Sequence, residues 1–396
     1  MMGFALSEEQ IARCIGAACA DELSRKFSHY TDFLTVASWG AETQIGPGGV
    51  LQDSAQRAAC QSRVAALFGV EQNMLEVGDG ALFADWARVI AKSQRQKMQQ
   101  FQFKPAGRDK SEPTSQKHTA DRLFQDAAAA ANLFYGRRRL LSLVAPHSLM
   151  GFLIGVLTPN IQGIDAIDAR RLTPDALSKA LSFGDVLVAT PTLWRYMIRE
   201  GLSAPDNAMA VAFGEPMTAD LAADMRKAGF GALRELYGTT EHGLIGWRDS
   251  PTEPFLLFDH WAEENTNLVL TTPNGEQASL VPMDKLDWLA ERRFQLAGRR
   301  DNAVQIGAVN VFPDDVARFI RSHPAVENCD IRVGERSDMT KRLIANIELS
   351  PSAPPIDAAA RDIDAWCRAN LAQQERPRIY NFEKSRGKKN APRRRP

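Results

Sequence analysis

The chain has 396 residues, enough for two or three domains around a sizeable core, and it carries 48 basic against 48 acidic side chains. That balance removes any global pull toward nucleic acid or an anionic membrane surface, and the longest apolar run, Leu149 to Leu157, is too short to span a bilayer. Cys14, Cys19, Cys60, Cys329 and Cys367 are scattered without metal-type pairing, the histidines form no ligand cluster, and no basic leader precedes an apolar core, so a cytoplasmic protein with free thiols is expected.

Residues 7 to about 27 place Ile11, Cys14, Ile15, Ala18 and Leu23 on one helical stripe. Gly46-Pro47-Gly48-Gly49 is turn chemistry, and helices are expected over 53–67 and 80–97. Gln100 to Lys104 reads as a short strand entering a loop at Pro105, and an alanine-rich helix runs from Thr119 to about Phe134. Arg139 to Val144 reads as a buried strand, with a helix beginning near Leu149. Alternation follows: helix 174–181, strand 185–189, helix 191–201, strand 209–213, helix 218–228 and strand 232–237. This rhythm predicts a mainly parallel sheet covered by helices. Strands around 255–258 and 267–271 add a smaller β portion, and a compact α+β segment with helices at 313–321 and 356–372 follows Asp301. The expected boundary at Arg299–Asp301 gives a large unit over 1–299 and a small one over 300–396.

The chemistry concentrates in Arg234-Glu235-Leu236-Tyr237-Gly238-Thr239-Thr240-Glu241-His242-Gly243. An alternating strand, with Leu233, Glu235 and Tyr237 on one face, stops at Gly238 and delivers two hydroxyls and a carboxylate. Strand exits are where α/β folds place ligand chemistry. Hydroxyls can donate to phosphate, and a carboxylate can hold a hard divalent cation that bridges phosphate oxygens. The order Tyr237-Gly238-Thr239-Thr240-Glu241 resembles the Tyr-Gly-x-Thr-Glu signature of the adenylate-forming superfamily, which includes acyl- and aryl-CoA ligases. Gly298-Arg299-Arg300-Asp301 resembles that family's Gly-Arg-x-Asp hinge, with Asp284 standing 15 residues before Arg299 as the family's aspartate does. Gly307, Val311-Phe312-Pro313 and His323-Pro324-Ala325-Val326 continue the match.

The resemblance implies a large N-terminal α/β domain and a small, mobile α+β C-terminal domain. It implies ATP-dependent, Mg²⁺-assisted activation of an aromatic acid of the 4-coumarate or 4-hydroxybenzoate type, through an acyl-adenylate, to a coenzyme A thioester; a carrier-protein thiol is the other possible acceptor. Thr240, Glu241 and Lys388 would be catalytic, with Glu241 on the metal. Tyr237, Gly238, Thr239, Asp284 and Arg299 would hold the nucleotide, Asp284 at the ribose. Gly214, Glu215 and Pro216 would lie beside the adenine, a stretch that also reads as a turn starting a helix capped by Thr218. His147 and Gly151 would line the acyl pocket, although His147 equally reads as a satisfied strand-end histidine; Asp301 would be the pivot.

Four departures stand against this. The nucleotide loop reads Pro105-Ala106-Gly107-Arg108-Asp109-Lys110-Ser111-Glu112-Pro113-Thr114, so Asp109 and Glu112 put negative charge where a triphosphate should lie and Thr114 replaces the usual lysine. Gly387 follows Phe382 by only five positions, a shorter spacing than the family's, and Lys388 lies in a tail that equally reads as a solvated basic end. Ala308 replaces a glycine of the hinge loop, and Gln305 stands where many members have lysine. They keep a second reading open: a degenerate homologue that binds an acyl group, a nucleotide or a protein partner without turnover. Nucleic-acid binding is not expected, because the basic tail lacks interleaved aromatics.

Overall fold

The computed structural model describes residues 6–27, 29, 31–97, 100–105, 115–265, 267–300, 303–306, 309–335 and 341–384. The chain divides into two compact units, Met1–Gly298 and Arg299–Pro396.

Among the described residues a nine-stranded sheet organises the large unit. Its strands are Arg139–Ser142 (β1), Asp165–Asp168 (β2), Asp185–Ala189 (β3), Met209–Phe213 (β4), Ala232–Thr239 (β5), Gly243–Arg248 (β6), Phe255–Leu257 (β7), Asp284–Ala290 (β8) and Arg293–Arg299 (β9). They lie in the spatial order β8-β9-β7-β6-β5-β4-β3-β1-β2. Neighbours from β2 across to β5 are parallel, whereas β5–β6, β6–β7 and β7–β9 pair antiparallel. The expectation of a mainly parallel sheet therefore holds for one half only. Past β5 the chain returns through a hairpin, which needs no crossover helix, and β6, β7, β9 and β8 extend the sheet.

The parallel half explains its own sequence pattern. β3 and β4 are buried at every position, so they read as unbroken apolar runs. Their alternate residues feed different apolar layers. Val186, Val188 and Val211 join a core that also takes Ile11, Cys14, Ile15, Ala18 and Leu23 of the helix Glu8–Phe27. Leu187, Ala189, Ala210 and Ala212 face the second layer, against Trp194, Leu221 and Met225. At the base of the sheet Arg139 grips Asp185 with two bonds, of 3.0 and 2.6 Å.

The apolar run at Leu149 is helical but irregular. Leu149–Phe152 passes into a wider turn over Leu153–Leu157 before Thr158–Gln162. Pro159 has no N–H for the carbonyl four residues earlier, and the Thr158 hydroxyl donates to Leu153 O at 2.8 Å. In the small unit Val326–Glu335, Lys341–Leu349 and Ile379–Lys384 form one sheet, antiparallel then parallel. Val316 and Ile320 of helix Pro313–Arg321, and Ile363 and Cys367 of helix Ile356–Asn370, pack on it around a separate core. All five cysteines are buried and free. Among the described residues no helix is long and apolar enough to cross a membrane.

Candidate active site

β5 does not stop at Gly238. It runs on to Thr239, with a register shift at Tyr237–Gly238, and the chain doubles back through Thr240–His242 into β6. The expected open strand exit is thus a tight hairpin turn. Two glycines make it possible. Gly243 has φ +77°, and a Cβ there would sit 2.2 Å from Asp126 Oδ2; one on Gly238 would sit 2.5 Å from Gly243 O and 3.0 Å from Met150 Sδ.

The turn is held almost entirely through its backbone. Thr239 Oγ1 accepts from His242 N at 3.2 Å, His118 Nε2 lies 2.7 Å from Thr240 O, and Arg122 Nη2 donates to His242 O at 3.0 Å. Leu244 N donates to Asp126 Oδ2 at 3.0 Å, and Trp261 Nε1 donates to Leu244 O at 2.7 Å. Thr240 and Glu241 stand half-buried at the crest, and none of the described hydrogen bonds or ion pairs takes up the Glu241 carboxylate. Burial lowers the pKa of both His118 and His242, so that the nearby Glu241 charge does not hold them protonated near neutrality.

The second motif meets the first. Tyr237 Oη donates to Asp284 Oδ2 at 2.7 Å, across 47 positions of sequence. The Tyr237 ring packs on Phe255 and Phe294, with centroids 5.7 and 5.6 Å away. Along β8 Asp284, Leu286 and Trp288 are half-buried while Lys285, Asp287 and Leu289 are exposed, so Asp284 faces Tyr237 and Asp287 points the other way. Arg299 ends β9.

Gly214-Glu215-Pro216 follows β4, beside the end of β5, with Gly214 at φ +89°. Glu215 accepts from Thr192 Oγ1 at 3.0 and 2.8 Å, and Thr218 caps the next helix by accepting from Leu221 N at 3.3 Å. A turn at the strand's carboxyl end and a helix start therefore coexist. The buried Glu235 carboxylate ties this turn to β5 and β6, accepting from Met217 N at 2.9 Å and Arg248 Nε at 2.7 Å. Burial nonetheless raises its pKa.

His147 is half-buried, and no described residue makes a hydrogen bond to its shielded Nδ1. Burial lowers its pKa to about 4; Asp21 pulls it upward, and Arg63, Arg25 and Arg170 push it further down. Gly151 sits where a Cβ would meet Ala145 O at 2.2 Å, and it lines a cavity of about 30 Å³ with Ser142, Pro146 and Asp168.

The strand Gln100–Phe103 pairs antiparallel with Gln116–Thr119, an element not expected from sequence, so residues 105–114 connect two paired strands. Arg25 Nη2 donates to Pro105 O at 3.1 Å, and Lys104 pairs with Glu22 at 2.5 Å. Arg108, Asp109, Lys110 and Glu112, together with Asp301, Gly307, Ala308 and Lys388, lie outside the described residues. Sequence reasoning missed His118, Arg122, Asp126 and His260. Their one visible signal is the Arg122–Asp126 pair at helical spacing on an otherwise alanine-rich helix.

No family model matches the chain. It is 30% identical over 383 residues to a 4-coumarate--CoA ligase of Halorhodospira halophila, covering 94% of this chain and 95% of that protein. A 4-coumarate--CoA ligase of Cereibacter sphaeroides is 28% identical over 271 residues, covering 67% and 63%. Among solved structures, an amide bond synthetase from Marinactinospora thermotolerans superposes with a TM-score of 0.60 at 15% identity, over 95% of this chain and 90% of that one. An o-succinylbenzoate CoA synthetase from Bacillus subtilis does so with 0.61 at 15%, over 94% and 88%. These two share the fold. The chain belongs to the adenylate-forming acyl- and aryl-CoA ligase family.

Proposed function

We propose that this protein uses ATP to activate an aromatic carboxylic acid and passes the acyl group to the thiol of coenzyme A. The observation that carries this reading is the bond between Tyr237 and Asp284, because it places two motifs 47 residues apart against one turn whose Glu241 carboxylate is uncommitted. In the first step a carboxylate oxygen attacks the α-phosphorus and pyrophosphate leaves. Asp284, oriented by Tyr237, would accept from the ribose hydroxyls, with Arg299 supporting that end. Gly214, Glu215 and Pro216 would border the adenine. Thr239 and Thr240 would donate to phosphate oxygens. A Mg²⁺ ion, when bound, supplies charge neutralisation at the phosphates. Glu241 fits as its protein ligand, since Mg²⁺ takes few carboxylates and keeps substrate phosphates and water.

Lys388 would set a positive charge against the acid and the α-phosphate. In the second step the thiol sulfur attacks the acyl carbon and AMP leaves; a thiolate is nucleophilic enough to need no strong base from the protein. His147 and Gly151 would border the acyl group, and Asp301 would be the pivot between the two steps. The 4-coumarate names of the relatives favour an aryl acid with a conjugated side chain. A pyrophosphate-release assay over a panel of aryl and fatty acids tests the reading. Release should be highest with 4-hydroxycinnamate-type acids and should depend on Mg²⁺. The charged loop residues Asp109 and Glu112 favour the competing, non-catalytic reading. Absence of ATP binding and of pyrophosphate release with every acid would establish it.

A further inference from the structure

His118, Arg122 and Asp126 stand four residues apart, from the end of strand Gln116–Thr119 into the first turns of helix Ala120–Leu133, and each grips a different backbone group of one turn. His118 Nε2 meets Thr240 O at 2.7 Å; a carbonyl only accepts, so this nitrogen carries the proton. Arg122 Nη2 donates to His242 O and Asp126 Oδ2 accepts from Leu244 N, both at 3.0 Å. Behind them Arg122 pairs with Asp126, His260 Nε2 lies 3.0 Å from Asp126 Oδ1, and the guanidinium rides 5.3 Å over the Trp261 ring. Asp126 is 0% exposed, His118 6% and Arg122 7%. A buried ion pair gains little net stability once its desolvation is counted. Stability alone is therefore a poor reason for this set, whereas its shared target is a good one.

We propose that His118, Arg122 and Asp126 are positioning residues that hold Thr240 and Glu241 in place and join their turn to strand Gln116–Thr119 and the helix that follows it. The proposal rests on the nucleotide reading above. Strand Gln116–Thr119 pairs with Gln100–Phe103, so through His118 the turn is bonded to a two-stranded sheet.

The test compares His118→Leu, His118→Asn and His118→Gln in the full chain. Glutamine places its amide nitrogen near the position of Nε2 and keeps a donor for Thr240 O; asparagine places it near Nδ1 and does not. Pyrophosphate release is measured against MgATP and against acid, and amide hydrogen exchange is followed over residues 239–244. The leucine and asparagine variants should lose about 10–100-fold in kcat/KM for MgATP, as supports of metal-binding groups do, with KM for the acid unchanged. They should also exchange faster over 239–244 and not elsewhere, and glutamine should restore both readouts. Wild-type MgATP kinetics in both the leucine and asparagine variants would overturn the proposal, as would an equal loss in the glutamine variant. A wild-type chain that releases no pyrophosphate sinks the ligase reading instead. Exchange over 239–244 then decides the proposal: unchanged protection in all three variants overturns it, and loss in leucine and asparagine alone upholds it.

Discussion

At the scale of single residues, β8 discriminates between two aspartates that sequence separates only by spacing. Asp284 takes the Tyr237 hydroxyl while Asp287 projects from the exposed face. Asp284→Ala should therefore weaken ATP binding by about 1.5–3 kcal/mol, the usual cost of losing a hydrogen bond to a charged group, and Asp287→Ala should leave it unchanged. Calorimetric titration checks this, and the reverse ranking would refute the assigned register. A second prediction concerns His147. An unfolded chain protonates this ring near the ordinary 6.5, whereas burial holds the folded ring neutral down to about 4. Between those values the unfolded state binds more protons, so stability falls as pH falls through the window. His118 and His242, also lowered by burial, contribute with the same sign. His147→Asn removes one share, so wild type should lose up to about 3 kcal/mol more than the variant between pH 7 and pH 4.5 in denaturant titrations. Parallel losses in the two proteins would mean that His147 is not the shielded neutral group.

At the scale of elements, legibility followed the kind of strand. β3 and β4 were readable because burial on both faces makes each a continuous apolar run between helices. β6 was not, because Gly243 and Gly246 interrupt its apolar residues. In the fold each is required by a close approach: a Cβ on Gly246 would lie 2.9 Å from Leu256 O and 3.0 Å from the Phe294 ring. Strand Gln116–Thr119 was hidden for the opposite reason, since Gln-Lys-His-Thr has no apolar alternation and exists through its partner. The same physics hid part of the site. Tyr237, Thr240 and Glu241 could be found from their order in the chain, but the side chains gripping their turn come from positions 118 to 126 and 260, which only the folded sheet brings near. Gly243→Ala tests how much the turn depends on this fit. The left-handed backbone alone costs about 1–2 kcal/mol for a residue with a Cβ, and the methyl group would displace Asp126 from Leu244 N. A lower unfolding temperature, with a clear loss of pyrophosphate release, is expected. An unfolding temperature equal to wild type would show that the turn adapts.

At the scale of the whole molecule, the two units carry independent apolar cores. Among the described residues the clusters of the large unit end with Phe294 and the packed Leu296, and that of the small unit begins with Val311 and the packed Ile306. Each half should thus fold without the other, which a chain ending after Arg300 can test. That fragment keeps Tyr237, Glu241 and Asp284 with every described contact of the turn, so it should unfold cooperatively and still bind ATP. Under the ligase reading it should release almost no pyrophosphate, because Lys388 and its positive charge go with the missing segment. Lys388→Ala in the full chain separates loss of that lysine from loss of the whole unit. If the lysine acts as proposed, the variant should match the fragment in pyrophosphate release while retaining wild-type ATP binding and unfolding behaviour. A fully active Lys388→Ala protein would remove that residue from the mechanism and turn attention to Lys389, the next cation along the tail.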